Sequence, residues 1–203
     1  MRHRRRGRRL NRTSPHRKAL FANLMSGLLL TERDLIEGVE VNAPKVPGRI
    51  ITTLEKAKEV RPLLERCITI AKMGIEADKA AEEFAPPNTD RRSDEYKQWR
   101  KSDQWRSWAA ARAPGVTARR RVMSFVRNKH AVQILFEKVA PRFTDRPGGY
   151  VRILRLAKPR LGDNGTRALL EFCGVNDRVK SSKAQKPEFA TAGAGSDSGE
   201  DNS

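Results

Sequence analysis

The residues best suited to chemistry stand at the start of the chain, in "MRHRRRGRRLNRTSPHRK". Arg2, Arg4, Arg5, Arg6, Arg8, Arg9 and Arg12, joined by Arg17 and Lys18, place nine cations in eighteen positions, and no acid appears before Glu32. A guanidinium is a planar fork of N–H donors that meets a phosphate through two bonds and also stacks on the face of a base. Each phosphate it neutralises releases counterions, so binding built on such a segment weakens steeply with salt. Gly7 and the lack of apolar residues before Leu10 read as a disordered arm over residues 1–13. A run of charge can also be a merely solvated face, but nine cations without one acid argue for a polyanion.

Nothing comparable supports catalysis. The chain has no glycine loop of the Walker type, and Gly148-Gly149 precedes a strand pattern, where a tight turn is the simpler reading. His3 and His16 belong to the basic segment, and His130 lies amid basic residues in a helical pattern. Asp163 and Glu171 are the nearest approach to paired carboxylates, but one falls in a loop and nothing in the sequence places them together. Cys67 and Cys173 are far apart and read as reduced thiols of a cytosolic protein, since a zinc site needs a closer Cys/His cluster. The expectation is a non-enzyme with no cofactor, no metal site and no small-molecule substrate. Charge alone leaves duplex DNA and structured RNA both open, and no helix-turn-helix, zinc-finger or RNA-recognition signature separates them.

The elements that must carry this arm are read from the rest of the 203 residues, of which 37% are hydrophobic and whose net charge is +18. The charge is uneven: +10 over residues 1–73, zero over 74–118, +9 over 119–179 and −1 over 180–203. Two basic blocks therefore flank a neutral middle and precede a neutral tail. No segment approaches the roughly 18–20 apolar residues of a transmembrane helix. The apolar stretch from Ala19 to Leu30 is interrupted by Asn23 and Ser26 and lacks a small-residue cleavage pattern, so a secretory signal fits poorly. An Arg-rich transit peptide imitates it better. A helix accounts for more: Ser14 suits an N-cap, Pro15 the first helical position, and Leu20, Phe21, Leu24 and Leu28 share a face beside Met25.

Further along, "RIITT" reads as a short strand over residues 49–53. A helix follows with apolar positions Leu54, Ala57, Val60, Leu64, Cys67, Ile68 and Ala71, capped by Thr53, kinked or broken near Pro62 and stopped by Gly74. The neutral middle holds all three tryptophans; Tyr96 with Trp99, and Trp105 with Trp108, are three apart and share helix faces. Those rings could stack on unpaired bases, but packing within their own segment is the favoured reading. One long helix is expected from Thr117 to its end at Pro141, with Val122, Phe125, Val126, Val132, Leu135, Phe136 and Val139 inward. Strands near residues 150–156 and 167–173 then form an antiparallel pair. Beyond residue 176 the Ser/Lys/Ala/Gly composition predicts a disordered tail.

Four stretches, in order, resemble the bacterial large-subunit ribosomal protein L-seventeen family. They are the opening block (through Arg2, His3, Arg4, Gly7, Leu10, Arg12, His16, Arg17 and Asn23), "RIITTLEKAKEVR", "PRFTDRPGGYVRIL", and "RLGDNG" with Glu171. The resemblance implies an α+β protein, a small sheet of about three strands packed by three to four helices, with the basic arm at its start. It implies a structural component of the large ribosomal subunit, in the cytoplasm, that binds large-subunit ribosomal RNA near the peptide tunnel exit and stabilises its fold during translation. Neighbouring large-subunit ribosomal proteins would be further partners, with no membrane insertion. Carried over by position, Arg2, His3, Arg4, Arg5, Arg6, Arg8, Arg9, Asn11 and Arg12 would enter the RNA. His16, Arg17, Lys18 and Asn23 would extend that contact from the first helix, and Tyr150, Arg152 and Arg160 would lie on or beside the last strands. The domain would run from 14 to 175, with residues 34–48 and 75–116 inserted and 176–203 added. A nucleoid or other DNA-associated protein, and an organellar form whose arm is partly transit peptide, are the alternatives.

Overall fold

The structure, a computed structural model, describes residues 7–34, 43–86, 88 and 90–174. Arg2, His3, Arg4, Arg5 and Arg6, and the tail read as disordered, lie outside the described residues. The sheet has three strands, β1 (Arg49–Thr53), β2 (Val151–Arg155) and β3 (Arg167–Phe172), in the order β1-β3-β2 with both pairings antiparallel. Alternation along the strands turns Val151, Ala168, Leu170 and Phe172 inward, with Ile50 and Ile153 partly buried beside them. Among the described residues five α-helices accompany the sheet, and the longest, α2 (Leu54–Glu82), packs against all three strands.

Helix α1 spans Ser14–Leu30 and begins one residue earlier than its sequence signal, with Thr13 at the cap position and proline in the first turn. Its buried stripe is Ala22, Met25, Leu28 and Leu29, so the face is rotated from the expected Leu20/Phe21/Leu24/Leu28 line; Phe21 and Leu24 pack at its margin. Helix α2 (Leu54–Glu82) buries all seven of the apolar positions read from its spacing. It runs without interruption through exposed Pro62, and it does not stop at Gly74.

Gly74 serves packing instead. A Cβ at residue 74 would stand 2.8 Å from the Ala118 Cβ and 3.0 Å from a Phe136 ring carbon. Across the contact, a Cβ at Gly115 would stand 2.5 Å from an Asp78 carboxylate oxygen and 3.1 Å from the Gly74 carbonyl oxygen. The two glycines thus let α2 and α4 (Asp103–Val126) approach backbone to backbone. The same contact explains why Ala113-Pro114-Gly115 is helix interior rather than a break.

The long helix expected from Thr117 to Pro141 is divided. Arg127 takes a left-handed conformation (φ 59°) and ends α4, and the Asn128 side chain then accepts the Ala131 N–H at 3.0 Å to start α5 (Lys129–Ile134). A π-helical turn (Leu135–Val139) and a 3-10 turn (Ala140–Phe143) follow. The side-chain cap competes with helical continuation at Asn128, and the chain turns there while keeping Val132, Leu135, Phe136 and Val139 buried. Between α2 and α4, the short α3 (Asp94–Lys101) is capped by Ser93, whose hydroxyl accepts the Tyr96 N–H. Trp99 is buried there, its ring 5.4 Å from Tyr96 and 5.5 Å from Trp108, its indole N–H donating to the Phe84 carbonyl.

This packing makes opposite predictions for two glycines. Gly74→Ala forces the α2–α4 crossing apart and lowers stability by about 1–3 kcal/mol. Gly27→Ala, inside α1 where nothing lies within 4 Å of the new methyl, raises it by about 0.5–1 kcal/mol; thermal melts of both variants test the contrast. Burial pushes the Cys67 thiol up to about 12, against the opposing pull of Arg66. At pH 8 the native protein therefore titrates with Ellman reagent at half-buried Cys173, and Cys67 reacts only after denaturation. Because the unfolded chain releases this proton first, the Cys67 contribution makes stability fall as pH rises from 9 toward 12.

Candidate nucleic-acid interface

The described base of the arm is folded onto the body. Leu10 and Asn11 both have positive φ (57° and 52°), making a left-handed turn closed by the Arg12 N–H on the Arg9 carbonyl at 3.2 Å. The Gly7 N–H donates to Glu59 of α2 at 3.2 Å, and the Arg8 guanidinium stands 3.9 Å from the same carboxylate. Arg17 of α1 donates to the Arg8 carbonyl at 3.3 Å, so one predicted contact residue holds another in place. The Arg8 Nη1 and Arg12 Nε atoms are buried without a hydrogen-bond partner among the described residues.

Beside this base lies a groove of about 420 Å³ where three helices meet. Arg17, Lys18, Phe21 and Met25 come from α1, Leu63 from α2, and Ser124, Phe125 and Arg127 from the end of α4. No carboxylate lines it. Arg66 sits over the Phe125 ring at 5.4 Å, adding a fourth cation next to an aromatic floor. Arg127 stands at the C-terminus of α4, where the exposed carbonyls favour a cation. Such a site can neutralise phosphates while its apolar floor takes up sugar or base surface.

Of the other predicted residues, Arg9, Asn11, His16 and Asn23 are exposed along the arm base and α1. The sheet residues are not gathered with them. Tyr150 is 2% exposed, its ring 5.2 Å from Phe143 and beneath the Lys72 ammonium at 5.4 Å; a ring so enclosed is a core residue with no face for a base. Arg152 pairs with Glu171. Arg160 forks onto Asp163 in the β2–β3 connection, its Nε at 2.9 Å from Oδ1, and with the Gly165 N–H it holds that carboxyl well below the usual carboxylate range. Sequence reading missed Arg66 and Arg127 altogether and took Phe125 only as a core position. The Asn128 cap signal marks the helix end at Arg127, but the meeting of Arg127 and Arg66 at the groove has no sequence signal.

The two carboxylates considered as a catalytic pair are each given to arginines. Glu171, 1% exposed on the central strand, stands in register with Arg49 on one side and Arg152 on the other. It pairs with both, the Arg49 Nε at 3.4 Å. At the end of α1, buried Glu32 receives the Arg142 fork at 3.0 and 2.7 Å, which raises the Arg142 pKa, while Lys138 donates to the Glu32 carbonyl and the Asp34 carboxylate. Among the described residues no group of three His, Cys, Asp or Glu could hold a metal ion, and no helix is long and apolar enough to cross a membrane.

A small α+β body with an acid-free cationic groove at the root of an arginine arm is suited to a polyanion, and the comparisons with known proteins show the class to be ribosomal. The family described as "Ribosomal protein L17" matches residues 45–173. A Rhodopirellula baltica protein named large ribosomal subunit protein bL17 is 61% identical over 198 residues, covering 98% of this chain and 92% of its own. Proteins of the same name from Allorhizobium ampelinum (34% identical over 172 residues, 85% of this chain and 82% of that one) and Desulfotalea psychrophila (33% over 179 residues, 88% and 95%) are similar as well. The chain belongs to the bacterial ribosomal protein L17 family, and as such it is a structural component of the ribosome, in the cytoplasm. The Rhodopirellula match spans nearly the whole chain, so the stretches 34–48 and 75–116 lie within it.

The buried row across the sheet yields a test of its own. Glu171→Gln removes the buried charge with which both Arg49 and Arg152 pair, and the expected drop in stability is about 2–3 kcal/mol. Urea unfolding would show it as a lower midpoint at unchanged slope.

Proposed function

We propose that this protein binds large-subunit ribosomal RNA near the peptide tunnel exit and stabilises the folded RNA there during translation. The observation that carries the reading is the groove of Arg17, Lys18 and Arg127 around Phe125, free of carboxylates and adjoining the arm. The arm base is fixed by Glu59 and Arg17, so the cations beyond it enter the RNA from a defined point rather than from a loose tether. Predetermined entry lowers the ordering cost that a wholly free arm would bring to binding.

Arg8, Arg9, Asn11, Arg12, His16, Arg17, Lys18 and Asn23 supply the RNA contact from the described residues, with Arg66 and Arg127 added to them. Arg2, His3, Arg4, Arg5 and Arg6 extend it. Arg152 and Arg160 serve chiefly to hold the sheet and its connection through Glu171 and Asp163. Neighbouring ribosomal proteins complete the surroundings. The reaction chemistry of translation is left to other parts of the ribosome; this protein acts by binding.

The test is sucrose-gradient fractionation of lysate from the source organism after a high-salt wash. Stoichiometric co-migration with the large subunit is expected, with cross-links to proteins of the tunnel rim. Migration with DNA, or at the top of the gradient, would overturn the reading. Arg17→Gln with Lys18→Gln should cut the affinity of the full-length protein for large-subunit ribosomal RNA by about tenfold. It should also reduce the slope of log affinity against log salt by about two, one for each phosphate no longer neutralised.

A further inference from the structure

The neutral charge of the Trp-rich segment conceals a segregation. From Glu82 to Glu95 the segment carries five acids, Glu82, Glu83, Asp90, Asp94 and Glu95, against two arginines; from Tyr96 to Arg112 it carries five cations against Asp103 alone. The cationic part leads directly into α4, which continues unbroken from Asp103 to Val126. At about 100° per residue, Arg112, Arg119 and Arg120 fall within one arc of about 100°, together with Met123, and Arg127 follows as the left-handed cap of the helix. From Arg112 to Met123 the arc runs about 17 Å along the axis at 1.5 Å per residue.

This arc lies beside the face buried against α2, which consists of Gly115, Ala118, Val122 and Val126. Arg112, Arg120 and Arg127 are exposed. Two of the cations are braced by rings: the Arg112 guanidinium lies 4.8 Å over Trp108, and that of Arg119 lies 4.7 Å over Phe136. Arg119 is also paired with Asp78 at 2.7 Å, so its charge is partly spent. Midway, a groove of about 500 Å³ opens between α4 and α5, with Arg120 and Lys129 at its rim and Met123 in its wall; Glu137, bound by the Gln133 amide, is its one acid.

We propose that this face of α4 is a second RNA surface, laid along the phosphate backbone of a duplex segment of the ribosomal RNA, and that the Trp-rich stretch exists in part to lengthen it. The proposal rests on the reading of the protein as a binder of ribosomal RNA. Its chemistry is complementary to a row of phosphates: arginines two turns apart on one helix, with no carboxylate on the same arc of α4, stiffened by stacking so that little side-chain freedom is given up on binding. Trp108 is then a positioning residue for Arg112, and the core of ring contacts with Tyr96 and Trp99 fixes Trp108 in turn.

The experiment is salt-dependent binding of the full-length protein to purified large-subunit ribosomal RNA, comparing three double variants. Arg112→Gln/Arg120→Gln removes two charges from the arc. Arg106→Gln/Arg121→Gln removes two that lie on the same helix outside the arc. Arg17→Gln/Lys18→Gln removes two from the groove at the arm. The proposal requires the first variant to fall about tenfold in affinity and about two in the salt slope, with the second close to wild type and circular dichroism unchanged in both. Equal reductions in the first two variants would mean general charge attraction and would overturn the surface. An unaffected first variant beside a weakened third would also overturn it, while leaving the arm and groove as the RNA site. Disappearance of a cross-link to a neighbouring protein at unchanged RNA affinity would assign the arc to protein and overturn it too. Failure of the wild-type protein to bind the RNA would remove the underlying reading itself.

Discussion

The crossing of α2 and α4 at Gly74 and Gly115 is the constraint on which the other arrangements depend. Helix α2 is the one element that touches every strand, and α4 carries the wall of the groove and the arginine arc. With no side chain at either residue, the Gly115 position comes within van der Waals reach of the Gly74 carbonyl and Ala118 fits against Gly74. Any separation there would move α4 relative to the sheet and to α1, opening the site where Arg17, Lys18 and Arg127 converge. Asp78 reinforces the crossing from the side by pairing with Arg119. The neighbouring Phe136 ring fills the space that a larger residue at 74 would take, so packing and cation placement are parts of one contact.

A chain of net charge +18 must also fold against its own repulsion. Among the described residues, four buried or half-buried carboxylates sit at joints between elements: Glu171 between β1 and β2, Glu32 between α1 and the 3-10 turn, Glu59 under the arm, Asp78 at the crossing. Glu171 draws in two arginines and each of the others one from another element, which offsets repulsion where strands and helices must meet, whereas half-buried Glu65 pairs with Arg61 inside α2. Among the described residues, Lys18 in the groove and Arg120 on α4 carry no such duty, while Arg8 and Arg119 share theirs with Glu59 and Asp78. The division is economical, because an arginine held by a buried carboxylate is a poor phosphate ligand, and an arginine kept for phosphate has no carboxylate to leave. Arg152 illustrates the first kind, Lys18 and Arg120 the second.

Much of this is legible in the sequence, and the failures have identifiable causes. Strand β1 is bounded to the residue, and β2 and β3 to within one, because β-branched and alternating residues between turn signals leave little choice. Helical spacing identifies every core position expected in α2. Gly74 misleads because its local propensity is to end a helix, and only a partner helix at close range makes it an interior residue. Asn128 misleads in the opposite direction, since an unbroken apolar period masks a side chain well suited to cap a new helix. For the site, composition identifies the arm and α1, which are contiguous. It cannot identify Arg66 or Arg127, which reach the groove from other elements and depend on a tertiary meeting. Tyr150 is placed by family position alone, and burial against Phe143 shows that its value there is to the core.

The same crossing brings together the two ends of the stretch 75–116. Gly74, just before it, and Gly115, near its end, are in close contact. Closing such a loop costs no displacement of the elements on either side, and lengthening it adds only slowly to the entropic cost. The excursion is itself built as two helix extensions and a short capped helix, α3, held by the Trp99 ring cluster. Its described residues thus continue α2 and α4. The continuation matters because one unbroken helix fixes Arg112 relative to Arg120 by the helical repeat alone. A device that lengthens a helix from a sealed crossing can add binding surface while leaving the groove at the arm unchanged.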